Sequence, residues 1–595
     1  MISNSVSNKH WIFKKYNEQD VLFYKENYSL DEITSKLLSI RNIKRENIQA
    51  YLSPTIKSFL PNPEIINDMQ KSTKRTIDAI SKKNKIGIFG DYDVDGASAT
   101  ALLANFFNSI NIPYEIYIPD RKKEGYGPSI ESFEKLINNG VKLIFTVDCG
   151  TLSFDAIDYA FNNKTDVIVL DHHQSEINLP KAYSIVNPNR FDDKSDLKYL
   201  CAAGVTFMFL IALNRELRLA NWFIKKKIKE PNLLEFLDLV ALGTICDVVP
   251  LIGLNRAIVS QGLKILKSKK NLGLKTLFDI CDIQSKPNVY HIGYLLGPRI
   301  NAGGRVGKSS HGANLLISNN SKDVFKIASE LDFFNKERQI LEKDVMDKIM
   351  KLLENKKHEP VMIITGKNWH EGVIGIVASR IKDKFNKPVI IISEHDHGIG
   401  KASARSIVGF DIGSVIISAV QENILIKGGG HKMAGGFAIK TENIEKFKNF
   451  ILKKFKKINS GNSTIKPLYL DSVIAPTALN VQFYNKVNTL APFGSGNPEP
   501  KFVLENMKTV NNKIIKDRHI KSVLIGLDGS TIKSIAFNCV DNEIGAYLLK
   551  KNKKLFDIAG KLSLNEWQGH SNVEFIIDDI SVNKTFKNTV PSSIG

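Results

Sequence analysis

Apolar and polar positions change rhythm several times along this 595-residue chain. Residues 1 to about 75 read as short helices and loops, ending in the proline-punctuated stretch LSPTIKSFLPNPEI. From Lys85 four apolar, β-rich runs follow: KIGIFGDYD, PYEIYIPD, VKLIFTVDCG and TDVIVLDHH. Helical segments such as SIESFEKLINNG and FDAIDYAFNN separate them. That alternation is the wiring of a parallel sheet with helices on both faces. A mostly helical region runs on to about Asn320. Between Ser321 and about Lys356 there is no Gly or Pro, and Val324, Ile327, Leu331, Phe334, Ile340, Leu341, Val345, Ile349 and Leu353 recur at helical spacing. One long connecting helix is predicted. A second α/β unit opens at PVMIITGKNWHEGVIGIVASRI and continues to about Lys457, after which KINSGNSTIK reads as a linker. The remainder, with SVLIGLDG, TIKSIAFNC, FDIAGKLSL and NVEFIIDDI, alternates as short strands and predicts a small β-barrel of the OB type. The expected segments are therefore 1–75, 76–320, 321–356, 357–457 and 465–595.

Composition changes this picture in three ways. A chain of this length needs several cores. The 82 basic against 62 acidic residues give a net charge of +20. A Lys-rich solvated surface would explain part of it, but so large an excess beside clustered acids favours a polyanion partner, nucleic acid above all. No run is apolar enough to cross a membrane, and the N-terminus MISNSVSNKHWIFKK lacks the apolar core and cleavage site of a secretion signal. The five cysteines, Cys149, Cys201, Cys246, Cys281 and Cys539, are odd in number and form no CxxC. A disulfide framework or zinc cage is not expected; reduced cytosolic thiols are.

Chemistry-bearing residues collect where the apolar runs stop. The run Ile86–Phe89 leads into GDYDVDG, which holds Asp91, Asp93 and Asp95, and then into the helix-like ASATALLANFF. Acids at a strand-to-helix turn lie at the carboxyl edge of a parallel sheet, where open α/β folds place their sites. Taken alone, the stretch reads as a metal-binding loop or as a solvated turn. The later runs end in the same manner, in Asp148 and then in Asp171, His172 and His173. A parallel sheet brings such ends to one edge. Acids so crowded would need pKa shifts of several units to stay neutral, whereas a cation removes the repulsion. Oxygen-rich sets with His favour Mg2+ or Mn2+ over a thiolate-held zinc. They can hold two ions about 3.5–4 Å apart, the arrangement that cleaves phosphodiesters. Any one of these acids could be a helix cap or turn residue; all the strand ends being acidic by accident is the poorer account. Asp247, in GTICDVVPL, by itself reads as a C-terminal turn residue.

DYDVDG, VDCG, DHH and the Asp of CDVVPL, in that order, resemble the four motifs of the DHH phosphoesterase superfamily. GGGHKMAGG (Gly428–Gly436) resembles the glycine-rich signature of the DHHA1 domain. IPDRKKEGYG (Ile118–Gly127), GPRINAGGRV (Gly297–Val306), NWHEGVIGIVASR (Asn368–Arg380), SARS (Ser403–Ser406), APFGSGNPEP (Ala491–Pro500) and NEWQGHSNVEFIIDDI (Asn565–Ile580) narrow the resemblance to the bacterial RecJ exonucleases. It runs nearly end to end and is weakest in the first 75 residues.

The resemblance implies 5′-to-3′ degradation of single-stranded DNA to 5′-mononucleotides with two Mg2+ or Mn2+ ions, in DNA repair and recombination. It implies a cytoplasmic monomer, with single-stranded-DNA-binding protein and a helicase as expected partners. Residue by residue, it puts metal ligands at Asp93, Asp95, Asp148, His172 and Asp247, with Asp91 in a supporting role or as an occasional ligand. Asp171 orients a ligand. Asp95, Asp148, His172 and His173 form the implied catalytic set, His173 meeting the scissile phosphate or protonating the leaving oxygen, with a packed histidine as the alternative. Arg121, Ser403 and Arg405 would hold the terminal 5′-phosphate, a task suited to guanidinium forks and a neutral hydroxyl donor. Arg299 and Arg305 are backbone-contact candidates, with surface ion pairing as the alternative. Gly429, Gly430 and His431 belong to a glycine-rich loop expected near phosphate, as does GPRINAGGR, although a tight turn explains Gly303 and Gly304 equally well. Lys432 in that signature could meet a phosphate or face water. Trp369, Tyr126 and Trp567 are stacking candidates, barrel packing being the better account of Trp567. Cys246 departs from the small residue typical before the fourth motif and is expected as a buried hydrophobe.

Two rival functions remain: a DHH enzyme for very short RNA, cyclic dinucleotides or pyrophosphate, and a non-enzymatic replication scaffold. The former typically lack the C-terminal barrel, and the latter lose metal ligands that are all present here.

Overall fold

The computed structural model describes residues 5–121, 123–353, 359–395, 398–458, 466–550, 555–567 and 570–582. A short strand, β1 (Lys9–Phe13), opens the chain. The first sheet comprises β2 (Lys85–Gly90), β3 (Tyr114–Tyr117), β4 (Val141–Val147), β5 (Asp166–Leu170) and β6 (Ser184–Val186). Its order is β3-β2-β4-β5-β6 and every pairing is parallel. The four runs read from the sequence are four of these strands; β6, three residues long, carries too little pattern to be seen there. The central strands are buried on both faces, which is why they read as continuous apolar runs rather than alternating ones. Over the sheet lies the helix Val94–Ser109, almost wholly buried, with the helices Ala202–Leu219 and Leu237–Cys246 packed on it.

The long helix spans Ser321–Leu352, capped by Asn320, whose side chain accepts the amides of Lys322 and Asp323. It packs on the helix Gly297–Val306 at one end and on the helix Glu371–Phe385 further along, and so joins the two α/β units. The second sheet holds β7 (Met362–Lys367), β8 (Val389–Glu394), β9 (Ile399–Arg405), β10 (Lys427–His431) and β11 (Ala434–Lys440), in the order β10-β11-β9-β8-β7. Within it, only β7 and β8 run parallel.

The C-terminal strands are β12 (Lys466–Leu470), β13 (Ser472–Val473), β14 (Phe502–Ile515), β15 (His519–Ile525), β16 (Thr531–Ala536), β17 (Phe556–Trp567) and β18 (His570–Ser581). Strands β14-β15-β16-β18-β17 pair in sequence, and β17 pairs back onto β14, closing a five-stranded barrel of the OB kind. The chain's start is built into this region. β1 runs parallel to β12. Tyr24, Leu37, Leu38, Ile48 and Tyr51 share one core with Leu504, Met507 and Phe575 of the barrel. The N-terminal helices therefore bury their apolar faces against residues far away in the chain, a pairing that local pattern does not reveal. Among the described residues no helix is long and apolar enough to cross a membrane.

Candidate metal centre and phosphate pocket

Each acid sits where an element stops. Asp91 follows β2 and is buried at 4% exposure. Asp93 caps the helix Val94–Ser109, its Oδ1 accepting the amides of Asp95 and Gly96 at 2.9 and 3.0 Å. Gly96 is needed there, because a Cβ would lie 2.7 Å from the Asp91 carbonyl oxygen. Asp95 lies in the first turn, and its two oxygens accept the amides of Ala202 and Ala203 at 2.6 and 3.0 Å. Those amides open the helix Ala202–Leu219, so a helix N-terminus fixes this carboxylate. Gly243 lets a third helix approach it: a Cβ there would stand 2.5 Å from Asp95 Oδ1. Asp148 follows β4 in the left-handed region, φ 62°. Asp171, His172 and His173 follow β5. Asp247 ends the helix Leu237–Cys246.

These residues converge. Ligand atoms of Asp91, Asp93 and Asp148 lie within 4.8 Å of one another, as do those of Asp95, His172 and Asp247, and those of Asp148, His172 and His173. Asp91, given a lesser part by the resemblance, is as close to this cluster as its neighbours. Burial, helped by the Asp93 charge, pushes the Asp91 carboxyl up to about 8. Burial and the charges of Asp95 and Asp93 push Asp247 up to about 8, and burial first of all raises Asp95 and Asp148 as well. Without a compensating cation Asp91 and Asp247 would hold protons at neutral pH. Asp91 Oδ1 and Asp148 Oδ1 are buried and accept no hydrogen bond. Buried carboxylate oxygens without donors, in a set of oxygens with one or two imidazoles, fit Mg2+ or Mn2+. The Cys246 thiol is raised by burial and by the Asp93, Asp95 and Asp247 charges, and its Sγ turns to the Ile292 carbonyl at 3.8 Å. Turned to that carbonyl, it sits as a packing group.

Asp171 works on His173. His173 Nδ1 stands 2.8 Å from Asp171 Oδ1, which also accepts the amides of His172 at 2.7 Å and His173 at 3.2 Å. Burial alone would raise Asp171, but the His173 hydrogen bond and the charges of His173 and His172 hold it well below the usual carboxylate range. Burial alone would lower His173; Asp171 outweighs it and pushes the imidazole up to about 9. Asn187 Nδ2 donates to the His173 carbonyl at 2.8 Å and Asn189 Nδ2 to the His172 carbonyl at 2.6 Å. Tyr126 donates its hydroxyl to the Asp148 carbonyl at 3.0 Å. Sequence reading missed Asn187 and Asn189, which follow the short β6 and carry no motif.

Opposite the acids the charges are positive. Arg405 ends β9, its Nε donating to Ser379 Oγ at 3.0 Å and its Nη1 to Ser403 Oγ at 3.1 Å. Gly375 makes room: a Cβ there would meet Ser403 Oγ at 2.9 Å and Arg405 Nη2 at 3.0 Å. Arg305 is pushed down to about 10 by burial and by the charges of Arg121, Arg338 and Arg405, with Asp93 acting the other way. Its Nη1 donates to the Gly372 carbonyl at 3.1 Å, tying the two α/β units together. The exposed Arg121 guanidinium lies 5.1 Å over the Tyr92 ring. Arg121, Arg305 and Arg405 thus share one neighbourhood, beside the Asp93 loop.

Other expectations change. Arg299 is committed to an ion pair with Asp332 at 2.9 Å and to the Leu295 carbonyl at 2.7 Å. GPRINAGGR is not a loop but part of the helix Gly297–Val306. Its Asn301 accepts the Val94 amide at 3.2 Å, and a Cβ on Gly304 would stand 2.8 Å from the Tyr92 ring. The glycines here serve close packing under the metal loop. Gly429, Gly430 and His431 are likewise in a strand, β10, at the edge of the second sheet; His431 and Lys432 are exposed. A Cβ on Gly430 would meet the Ala434 carbonyl at 2.3 Å, whereas Gly429 faces open space. Trp369 is 6% exposed and packs in the core of the second unit, which removes it as a stacking platform. The Trp567 side chain lies outside the described residues. Tyr290 and Tyr294, which sequence reading passed over, are exposed and stacked at 5.2 Å on the segment that packs against Ile245 and Cys246.

The profile described as the DHH family, N-terminal domain, matches residues 85–244, the DHHA1 domain matches 358–457 and the RecJ OB domain matches 470–579. The single-stranded-DNA-specific exonuclease RecJ of Bacillus subtilis is 31% identical over 585 residues, 97% of this chain and 71% of that protein. The protein of the same name from Escherichia coli is 31% identical over 542 residues, 89% of this chain and 92% of that one. The crystal structure of RecJ in complex with Mn2+ from Thermus thermophilus superposes with a TM-score of 0.80 at 26% identity, covering 97% of this chain and 80% of that one. With the three domain profiles matched in order and 31% identity to these RecJ proteins over most of its length, the chain belongs to the RecJ family.

Proposed function

We propose that this protein is a metal-dependent exonuclease that degrades single-stranded DNA from the 5′ end and releases 5′-mononucleotides, in DNA repair and recombination. The observation that carries the reading is the convergence of Asp91, Asp93, Asp95, Asp148, His172, His173 and Asp247 on one sheet edge. Asp93, Asp95, Asp148, His172 and Asp247, joined by Asp91, would hold two Mg2+ or Mn2+ ions. Bound there, such ions neutralise the phosphate, lower the pKa of a bound water and stabilise the leaving oxygen.

The remaining work falls to the chain. Arg405, Ser403 and Arg121 offer the donors for a terminal 5′-phosphate, and Arg305 lies between that pocket and the acids. A pocket that ends on the terminal phosphate admits a strand end and not a continuous strand, which makes the cleavage exonucleolytic. Asp171 keeps a proton on His173, which is then able to give one to the departing 3′-oxygen of the terminal nucleotide. The exposed Tyr290–Tyr294 pair suits base stacking without sequence preference, and the barrel with its lysines extends the footprint. We place the protein in the cytoplasm as a monomer, with single-stranded-DNA-binding protein and a helicase as partners.

End-labelled single strands digested with Mg2+ or Mn2+ test this. Mononucleotides released from the 5′ end, and only with divalent metal, support it; activity confined to dinucleotides rejects it.

A further inference from the structure

The motif APFGSGNPEP has no part in the chemistry above, yet it packs against the turn that follows Asp247. Asp247 is followed by Val248 at φ 60°, a left-handed conformation that a β-branched residue adopts only under constraint. The constraint lies two and three residues on, at Pro250 and Leu251. The Leu251 amide donates to the Ser495 carbonyl at 2.7 Å. Gly496, itself at φ 69°, is so close that a Cβ would stand 2.9 Å from Pro250 Cβ, and one on Gly494 would stand 2.8 Å from Leu251 Cδ1. Asn255 Nδ2 holds the Pro250 carbonyl from the other side at 3.0 Å.

The loop that presses on this turn is itself pinned. Arg256 is fully buried, and its guanidinium donates to the carbonyls of Tyr51 at 3.1 Å, Leu490 at 2.9 Å and Ala491 at 2.8 Å. It lies 3.9 Å over the Tyr51 ring. Asn497, 2% exposed, donates to the Leu490 and Pro492 carbonyls at 2.9 and 2.8 Å and accepts from Arg41 Nε at 2.9 Å and the Tyr51 hydroxyl at 3.0 Å. Burying a guanidinium is costly, and here its donors are spent on carbonyls of two distant segments.

We propose that Arg256, Gly496 and Asn497 are positioning residues for Asp247: the N-terminal segment and the loop 490–497 hold the turn that presents this carboxylate, so the metal centre is completed only when the C-terminal region is docked. The inference rests on the metal-centre reading above. In the full chain, Mn2+ binding is measured from the electron paramagnetic resonance signal of the free ion for Gly496→Ala, Arg256→Lys and Asp247→Asn. Trp11→Phe, which loses a hydrogen bond to Asp579 and ring volume from the small core with Leu468, Leu470, Val503 and Ala559, away from the loop 490–497, is the control for lowered stability. Gly496→Ala and Arg256→Lys should each weaken Mn2+ binding about ten-fold, the scale on which outer partners of metal ligands act, with folded-state circular dichroism retained and activity recovered at higher Mn2+. Trp11→Phe should bind as the wild type does. Wild-type isotherms for Gly496→Ala and Arg256→Lys beside a weakened Asp247→Asn would overturn the positioning role alone, as would equal weakening in Trp11→Phe. A wild-type isotherm for Asp247→Asn would instead remove Asp247 from the metal centre, and the inference with it.

Discussion

In the first sheet β2, β4 and β5 all end in acids, and the sheet's parallel order brings those ends to one buried edge. In the second sheet the strands are mixed in direction, and its charged contribution, Arg405 with Ser403 beside it, lies within β9. The first region gathers buried carboxylates that ionise together at neutral pH only beside a cation. The second offers guanidinium donors held by neutral oxygens, those of Ser379, Ser403 and the Ala404 carbonyl, so their charge stays available. A phosphate chain needs both: cations at the scissile position and fixed donors one step away. The contrast is one of chemistry as well as geometry, because clustered carboxylates suit a metal ion and fixed guanidinium donors suit phosphate.

The contrast can be broken most severely at Asp148. Asp148→Asn removes a carboxylate shared by two of the three ligand groups and should lower kcat by about 10³-fold or more, roughly 4 kcal/mol, in a single-strand digestion. A loss under about ten-fold would mean that the acidic edge is not the reacting centre. Arg405→Ala should lower kcat/KM by about 10²-fold, roughly 3 kcal/mol, on 5′-phosphorylated strands and much less on strands ending in a 5′-hydroxyl. Equal losses on both ends would remove the terminal-phosphate pocket.

Asp238 sharpens the comparison from outside the site. It lies at the start of the helix that ends in Asp247, and burial pushes its carboxyl up to about 6. A folded-state pKa above the unfolded one of about 3.9 means that the folded protein holds the proton longer, so stability falls as pH rises from about 4 to 6 and stays lowered above. Asp238→Asn should therefore stabilise the protein by about 2–3 kcal/mol at about pH 7, read by denaturant unfolding, and the gain should vanish near about pH 4. No gain at neutral pH would show that burial without a cation is less costly here than the metal-centre argument requires. The smallest effect is expected at Gly429. Its Cβ position is open, so Gly429→Ala should change stability by no more than about 0.5 kcal/mol while raising KM for single strands several-fold. An unchanged KM would take the β10 edge off the strand path.

The strand-end acids were legible because each sits beside its own apolar run, where strand ending and chemistry are written in the same few letters; Asp247, at a helix end, was marked only by the resemblance. The barrel and the long helix were legible from period alone. What escaped depends on contacts between distant segments. β1 pairs with β12 from the far end of the chain, and nothing in KHWIF announces its partner. Arg299 and Arg305 look alike in GPRINAGGRV, yet one is absorbed by Asp332 on the long helix and the other reaches Gly372 in the second unit. Glycine clusters suggested loops because glycine permits them; here Gly304 and Gly430 serve close packing, against Tyr92 and the Ala434 carbonyl. Trp369 sits beside a charged motif, but its ring belongs to a core that only the folded unit creates.

The central claim is that the strand-end acids bind the metal that drives strand-end cleavage. A single titration of Mn2+ tests it most directly, following mononucleotide release from 5′-labelled single-stranded DNA by the full chain and by Asp148→Asn. The account predicts no release without metal, saturable release with it, and no recovery of the variant at any Mn2+ concentration. Release by the metal-free protein, or a variant as active as the wild type, would contradict it.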